Sequence, residues 1–264
     1  MISSLSGLPS SVPLPMKLPQ YLFFIILVLQ FSACDQRSDA QKIVDSAIEA
    51  HGGEAFEDSQ IEFDFRERHY TIYKTATAFE YIREFSDSTG SVKDVLNNAG
   101  FTRTVNGVKI DTLTEERIGA FSRSVNSVAY FAFLPYGLND EAANKTFLGE
   151  TEIKGKKYNL VKVTFAQQGG GEHFEDEFLY WFGKEDSFME FLAYSYHTDG
   201  GGLRMREVSE KSEVGGIVFQ NYLNLKPEDE KIPVEMMQEL YLAGKLEVLS
   251  EINLENITVR PIPN

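Results

Sequence analysis

The chain has 264 residues, and its 40 Asp and Glu outnumber 25 Lys and Arg, which gives a formal net charge of −15. This length can bury one substantial core or two small ones. An acidic surface repels phosphate backbones and anionic headgroups, so the composition argues against nucleic-acid binding and against electrostatic attachment to a membrane. The high content of aromatic residues, 20 Phe and 12 Tyr, favours a β-rich fold.

The beginning of the chain resembles the export signal of a bacterial lipoprotein. A short basic head precedes the apolar run Tyr21–Leu29, which is too short to span a bilayer. Ser32 and Ala33 come directly before Cys34, the single cysteine, as in the lipobox that lipoprotein signal peptidase recognises, although Phe31 stands where Leu is commonest. We therefore expect residues 1–33 to be a signal peptide and Cys34 to be lipidated. The alternative is an ordinary secretory signal with an incidental cysteine.

A lipid on Cys34 would tether the protein to a membrane of the cell envelope. Each buried methylene contributes about 0.8 kcal/mol, so the several acyl chains of a lipoprotein cysteine anchor it permanently. We expect a protein of the outer membrane, with residues 34–39 as a polar tether and a single domain over residues 40–264. Translation from Met16 would make residues 1–15 an upstream extension.

The first elements of the mature chain are a helix and several amphipathic strands. Ala40–His51 has apolar residues at helical spacing and ends at two glycines. Ile61–Arg66 and Phe79–Phe85 alternate between apolar and polar residues, as strands with one wet face do. Asn106-Gly107 predicts a two-residue hairpin turn.

A long helix and a series of strands follow. Thr114–Leu134 has a capping threonine, acids in its first turn and apolar residues at helical spacing, and Pro135 stops it. Six further strands are predicted over residues 158–165, 174–182, 188–197, 203–208, 217–225 and 245–259. Short turns between strands indicate an antiparallel meander. The fold class is therefore α+β and mainly antiparallel β, a curved sheet or half-barrel with the long helix across its concave face.

This architecture resembles the half-barrel of the lipoprotein-localisation proteins and related periplasmic lipid carriers. The helix that ends in His51-Gly52-Gly53 before a first strand is similar to the opening of that group. A closer resemblance, on Tyr130–Asp140, Phe174–Phe182 and Tyr194–Arg206, is to a family of uncharacterised envelope lipoproteins with no assigned activity. Met205 departs from the Arg-aromatic-Arg arrangement that is usual in that family.

Two glycine-rich loops carry histidines beside acids. His173 precedes Asp176, and His197 precedes Asp199. If both loops lie at one edge of the sheet, these four residues could bind a divalent metal or act as general acids and bases. Their spacing matches no known zinc or hydrolase signature, and two flexible polar hairpin loops are the alternative interpretation.

A second candidate site lies on neighbouring strands. Arg204 and Arg206 are two residues apart in one predicted strand, so they share a face. On a concave face they would form a paired clamp for a carboxylate or lipid headgroup, whereas on the outer face they would only balance acidic neighbours. Tyr194 and Tyr196 would contribute to the same ligand site, or would be core and cross-strand pairs.

Three functions remain open at this point. The leading prediction is a tethered half-barrel whose apolar hollow binds or carries a lipid or another amphiphile. The others are a surface-exposed hydrolase that uses the histidine loops, and an accessory envelope protein that docks a partner. No nucleophile motif is present, and the sequence predicts no cofactor and no confident metal site.

Overall fold

The computed structural model describes residues 37–57, 59–75, 77–166 and 175–262. The predicted signal peptide, Cys34 and His173 lie outside these residues. None of the described helices is both long enough and apolar enough to cross a membrane.

The described residues form three α-helices, where capping and periodicity allow them. They are α1 (Asp39–Ala50), α2 (Glu115–Ala132) and α3 (Met237–Leu242). The Ser38 hydroxyl accepts a hydrogen bond from the Gln41 amide at 3.1 Å, and the Thr114 hydroxyl accepts one from the Arg117 amide at 3.3 Å. Both long helices are thus confirmed, and α2 ends two residues before its predicted end.

The first half of the domain forms an antiparallel sheet of seven strands, called the first sheet. Its order is β14-β1-β2-β3-β4-β5-β6, so six consecutive strands form a meander and one distant strand joins at β1. The Asn106-Gly107 hairpin is confirmed, with both residues at positive φ. The strands are β1 (Ser59–Phe65), β2 (Arg68–Lys74), β3 (Phe79–Asp87), β4 (Gly90–Asn97), β5 (Gly100–Val105), β6 (Val108–Lys109) and β14 (Glu255–Pro261).

The second half forms another antiparallel sheet of seven strands, called the second sheet, in the order β13-β12-β11-β10-β9-β8-β7. Neither sheet closes on itself, and the α+β half-barrel prediction is confirmed. The strands are β7 (Ala143–Ile153), β8 (Lys156–Phe165), β9 (Glu177–Gly183), β10 (Met189–Tyr196), β11 (Gly202–Val214), β12 (Ile217–Pro227) and β13 (Leu246–Ile252).

One predicted strand, residues 245–259, is wrong. The chain breaks after Ile252, and its two parts pair in different sheets: β13 with β12, and β14 with β1. At the break the Leu254 amide donates a hydrogen bond to the side-chain oxygen of Asn221 at 2.9 Å, which holds the crossing segment against β12. Since both halves are extended, sequence alternation alone does not reveal the change of sheet.

The helices bury the inner faces of both sheets. Val125 and Ala129 of α2 pack on the first sheet, whereas Tyr130 and Phe131 of the same helix pack against the second sheet. α1 packs on the second sheet through its own apolar face. The outer face of the second sheet is also buried, because Met237 of α3 and its neighbours cover it. The long helix therefore packs across the inner side, as predicted, but it contacts two sheets and not one curved sheet.

Candidate ligand-binding cavity

A cavity of about 930 Å³ extends around α2, between the helix and the inner faces of the two sheets. It exists because the helix presents small or medium side chains there, such as Ser127, Val128 and Ala132, which leave space beside the large aromatic residues of the strands. Its wall combines aromatic with charged and polar residues, and the aromatic ones are Phe65, Tyr70, Phe79, Tyr81, Tyr130, Phe131, Phe133, Phe165, Phe178, Tyr194, Tyr196 and Tyr222.

Buried tyrosines near this wall are held in hydrogen-bonded pairs. The hydroxyls of Tyr130 and Tyr180 lie 2.6 Å apart, and the Tyr222 hydroxyl donates to the Gln220 side chain at 3.1 Å. Gln220 in turn donates to the Met189 carbonyl at 2.7 Å. Burial raises the pKa of Tyr130, Tyr180 and Tyr222 well above the ordinary tyrosine range, so all three stay neutral. The wall is thus uncharged at these positions.

Arg206 is a buried arginine of the cavity wall. Only 7% of the residue is exposed, and its guanidinium carbon lies 3.6 Å from the centre of the Phe131 ring. Its Nη2 donates a hydrogen bond to the Tyr194 hydroxyl at 3.1 Å. The Nε atom is buried and has no hydrogen-bond partner among the described residues. An arginine in this state keeps its charge with few of its donors satisfied.

Arg204 also lines the cavity but has a carboxylate partner. It forms an ion pair with Glu230, and its Nη2 donates to the Tyr196 hydroxyl at 3.0 Å. The hydrogen bond from Arg204 lowers the pKa of Glu230, which keeps that carboxylate ionised. The four residues predicted to bind a ligand, Arg204, Arg206, Tyr194 and Tyr196, all border the same cavity, and their role in binding stays a prediction.

Of the residues predicted for the histidine loops, Asp176 borders the cavity and His197 does not. The His197 Nδ1 lies 3.6 Å from the Asp176 carboxylate, which also accepts a hydrogen bond from the His197 amide at 3.2 Å. Asp176 borders the cavity, whereas the His197 side chain is 61% exposed. Asp199 lies in the short turn Thr198–Gly200. Within the described ranges, no group of three or more His, Cys, Asp or Glu residues is arranged to hold a metal ion.

Sequence reasoning missed a further cation of the wall, Lys74. It lies at the end of β2, 5.6 Å from the centre of the Tyr136 ring. Burial lowers the pKa of Lys74, and the charge of Asp140 opposes that shift. The alternation of Tyr70, Ile72 and Lys74 could have placed all three on the inner face of one strand.

Two open antiparallel sheets around a helix and a cavity define the class of fold, a half-barrel. The chain belongs to a family of unknown function (DUF6503), whose model matches residues 19–254. No curated protein matches the chain.

Solved structures resemble the chain only distantly. A LolA superfamily protein from Nitrosomonas europaea is 11% identical, with a TM-score of 0.47 and coverage of 86% of this chain and 96% of its own. A domain named for outer membrane lipoprotein sorting, from Vibrio parahaemolyticus, is 8% identical, with a TM-score of 0.45 and coverage of 86% and 95%. The Mycobacterium tuberculosis lipoprotein LppX is 9% identical, with a TM-score of 0.27 and coverage of 64% and 93%. These likenesses are too distant to carry an inference about ligands.

Proposed function

We propose that the protein binds or carries an amphiphile, such as a lipid, in the cavity around α2. The observation that carries this proposal is the cavity itself, with a volume of about 930 Å³ and a wall that combines aromatic with polar and charged residues. Small-molecule sites in proteins typically have this size and an apolar lining with a few polar groups. A solidly packed concave face would have left no room for a ligand.

The wall offers separate surfaces for the two ends of an amphiphile. Phe165 and Phe178 form an apolar surface that faces Tyr130 of the helix, with ring centres 5.7 to 6.2 Å apart. Arg204 and Arg206 provide charged groups on an adjacent part of the second sheet. Burial of the hydrocarbon chain supplies the affinity, at about 25 cal/mol per Å² of apolar surface, and the polar groups orient the ligand.

Filling the cavity tests this proposal. Ser127 and Ser122 are both half-buried residues of α2, but only Ser127 borders the cavity. We expect Ser127→Phe in the full chain to weaken binding of both dodecanoate and dodecan-1-ol at least about tenfold, because the added ring takes ligand space. Ser122→Phe is the matched control and should leave both affinities unchanged. Titration calorimetry measures both; failure of the unmodified protein to bind either compound would overturn the proposal.

We also propose that this cavity is held at a membrane of the cell envelope by a lipid on Cys34. The support is the lipobox-like Ser32-Ala33-Cys34 and the short interval between Cys34 and the cap of α1 at Ser38. Cys34→Ser should move the protein from the membrane fraction to the soluble fraction of its host and remove the acyl mass from the mature chain. Retention of Cys34→Ser in the membrane fraction would contradict this anchor.

A further inference from the structure

The two arginines on the inner face of β11 differ in one respect that bears on the ligand. Arg204 and Arg206 each donate a hydrogen bond to a tyrosine hydroxyl of β10, and each lies near an aromatic ring. Glu230 neutralises Arg204. Arg206 has no carboxylate within ion-pair distance among the described residues, although less than a tenth of it is exposed. Only one of the two charges is therefore compensated by the protein.

A buried guanidinium without an anion is costly. Its charge cannot be removed by deprotonation, and removing it from water costs free energy unless other groups replace the water. The faces of Phe131, Tyr194 and Tyr222, at 3.6, 5.4 and 5.8 Å from the guanidinium carbon, replace part of that hydration. They do not satisfy its Nε, which has no hydrogen-bond partner in the described part of the chain.

A second unsatisfied atom lies beside the first. Arg206 is the register partner of Asn224 on β12, and both border the cavity. The Asn224 side chain donates to the Ser250 hydroxyl at 3.3 Å, while its Oδ1 is buried with no partner among the described residues. Two polar atoms that the described residues leave unpaired thus occupy neighbouring positions on the wall. Native proteins leave few such atoms without a reason, and a bound polar group is one reason. An oxyanion would accept from the Arg206 Nε, whereas the Asn224 Oδ1 is itself an acceptor and would need a hydroxyl group of the ligand or a water.

We propose that Arg206 binds the oxyanion of the ligand, so that the protein selects amphiphiles whose headgroup is a carboxylate or a phosphate. Arg204 then belongs to a structural pair with Glu230, and Arg206 supplies the charge that contacts the headgroup. This inference rests on the proposed function, since it concerns the headgroup of the ligand that the cavity holds. An arginine fork fits both oxyanions with two parallel hydrogen bonds.

The test compares three ligands with the same alkyl chain: dodecanoate, dodecyl phosphate and dodecan-1-ol. We expect the unmodified full chain to bind one or both anions at least about tenfold more tightly than the alcohol, as a charge-assisted hydrogen bond predicts. Arg206→Gln should weaken binding of the anions and so abolish that preference, and far-UV circular dichroism and a thermal midpoint near that of the unmodified protein show that the variant is folded. The comparison of carboxylate with phosphate distinguishes a fatty-acid ligand from a phosphorylated one.

Two further variants isolate the position of the charge. Arg204→Gln should reduce the anion preference by less than Arg206→Gln does, because Glu230 already neutralises Arg204. Arg260→Gln removes a 63% exposed arginine outside the cavity and controls for the change in net charge. Two results would overturn the role of Arg206 while leaving amphiphile binding intact. One is equal affinity of the unmodified protein for the alcohol and the anions, and the other is an equal loss of anion preference in all three variants. Absence of binding by all three ligands would overturn both proposals.

Discussion

The two sheets bury their residues in different ways. In the second sheet, alternate residues of β9 face opposite sides and both sides are covered: Tyr180 faces the inner core, and Trp181 faces α3. In the first sheet the core lies on the inner face, whereas the outer face carries exposed side chains such as Glu84 and Lys93, at 47% and 44%, beside buried Ile82. Burial is thus concentrated in the sheet that carries Arg206. We infer that the second sheet is the rigid support of the cavity.

A substitution in the second sheet, which is covered on both faces, should cause the largest loss of stability. Trp181 is fully buried, and its indole N–H donates to Gln238 of α3 at 2.7 Å. We expect Trp181→Ala to lower the free energy of unfolding by about 4 kcal/mol, because a large cavity remains and the Gln238 Oε1 loses its indole donor. Val95→Ala, at a half-buried site of the first sheet outside the core clusters, should cost about 1 kcal/mol or less. Urea denaturation measures both, and equal losses would refute the contrast between the sheets.

A charge cluster gives the first sheet its own vulnerable position. Asp94 is fully buried and pairs with Arg83 at 2.7 Å and with Arg103 at 2.6 Å, beneath α2. Asp94→Asn would leave two guanidinium groups without their anion, so we expect a loss of about 3 kcal/mol in the free energy of unfolding. Glu84→Gln removes only an exposed pair with Lys93 and should cost under about 1 kcal/mol. If Asp94→Asn lowers the free energy of unfolding no more than Glu84→Gln does, the stability of the first sheet does not depend on this cluster.

The smallest of the three expected losses of stability depends on pH and concerns His51, at the end of the helix that packs on the second sheet. His51 ends α1, its ring packs on Phe188, and burial lowers its pKa to about 4. The unfolded chain takes up this proton near its ordinary pKa of 6.5, before the folded protein does. The contribution of neutral His51 is therefore complete above pH 6.5 and is lost as the pH falls towards 4, by about 2 kcal/mol between pH 7 and 5.

His51→Asn provides the comparison for that pH dependence. Asparagine cannot take up a proton in this range, so the stability of the variant should fall less steeply than that of the unmodified protein. Thermal denaturation of both proteins from pH 7 to pH 5 measures the difference. Parallel profiles would show that His51 is protonated as easily in the folded protein as in the unfolded chain.

Local sequence signals predicted the elements that have local causes. The cap at Thr114 and the turn at Asn106-Gly107 depend on neighbouring residues, and both are present. The strands β2, β4 and β7 were not predicted. The alternation in β2, where Tyr70 and Ile72 are buried, could have predicted that strand.

The candidate site was only partly predictable, for a physical reason. Alternation correctly places Arg204 and Arg206 on one face of β11, because the strand period is two residues. It cannot show that Glu230, 26 residues beyond Arg204, folds back to neutralise one arginine and not the other. The cavity volume also depends on how α2 packs between two sheets, and no local sequence pattern determines that packing.

The pairing of β14 with β1 has a consequence for the order in which the chain folds. Glu62 lies opposite Thr258 across this pair, 196 residues away in the sequence. Synthesis therefore releases the first strand long before its neighbour exists, and that edge stays open to pairing with other chains in the meantime. Contacts of such long range must also overcome a large loop-closure entropy, which slows folding. A chaperone that shields β1 until residue 261 emerges would act at this step.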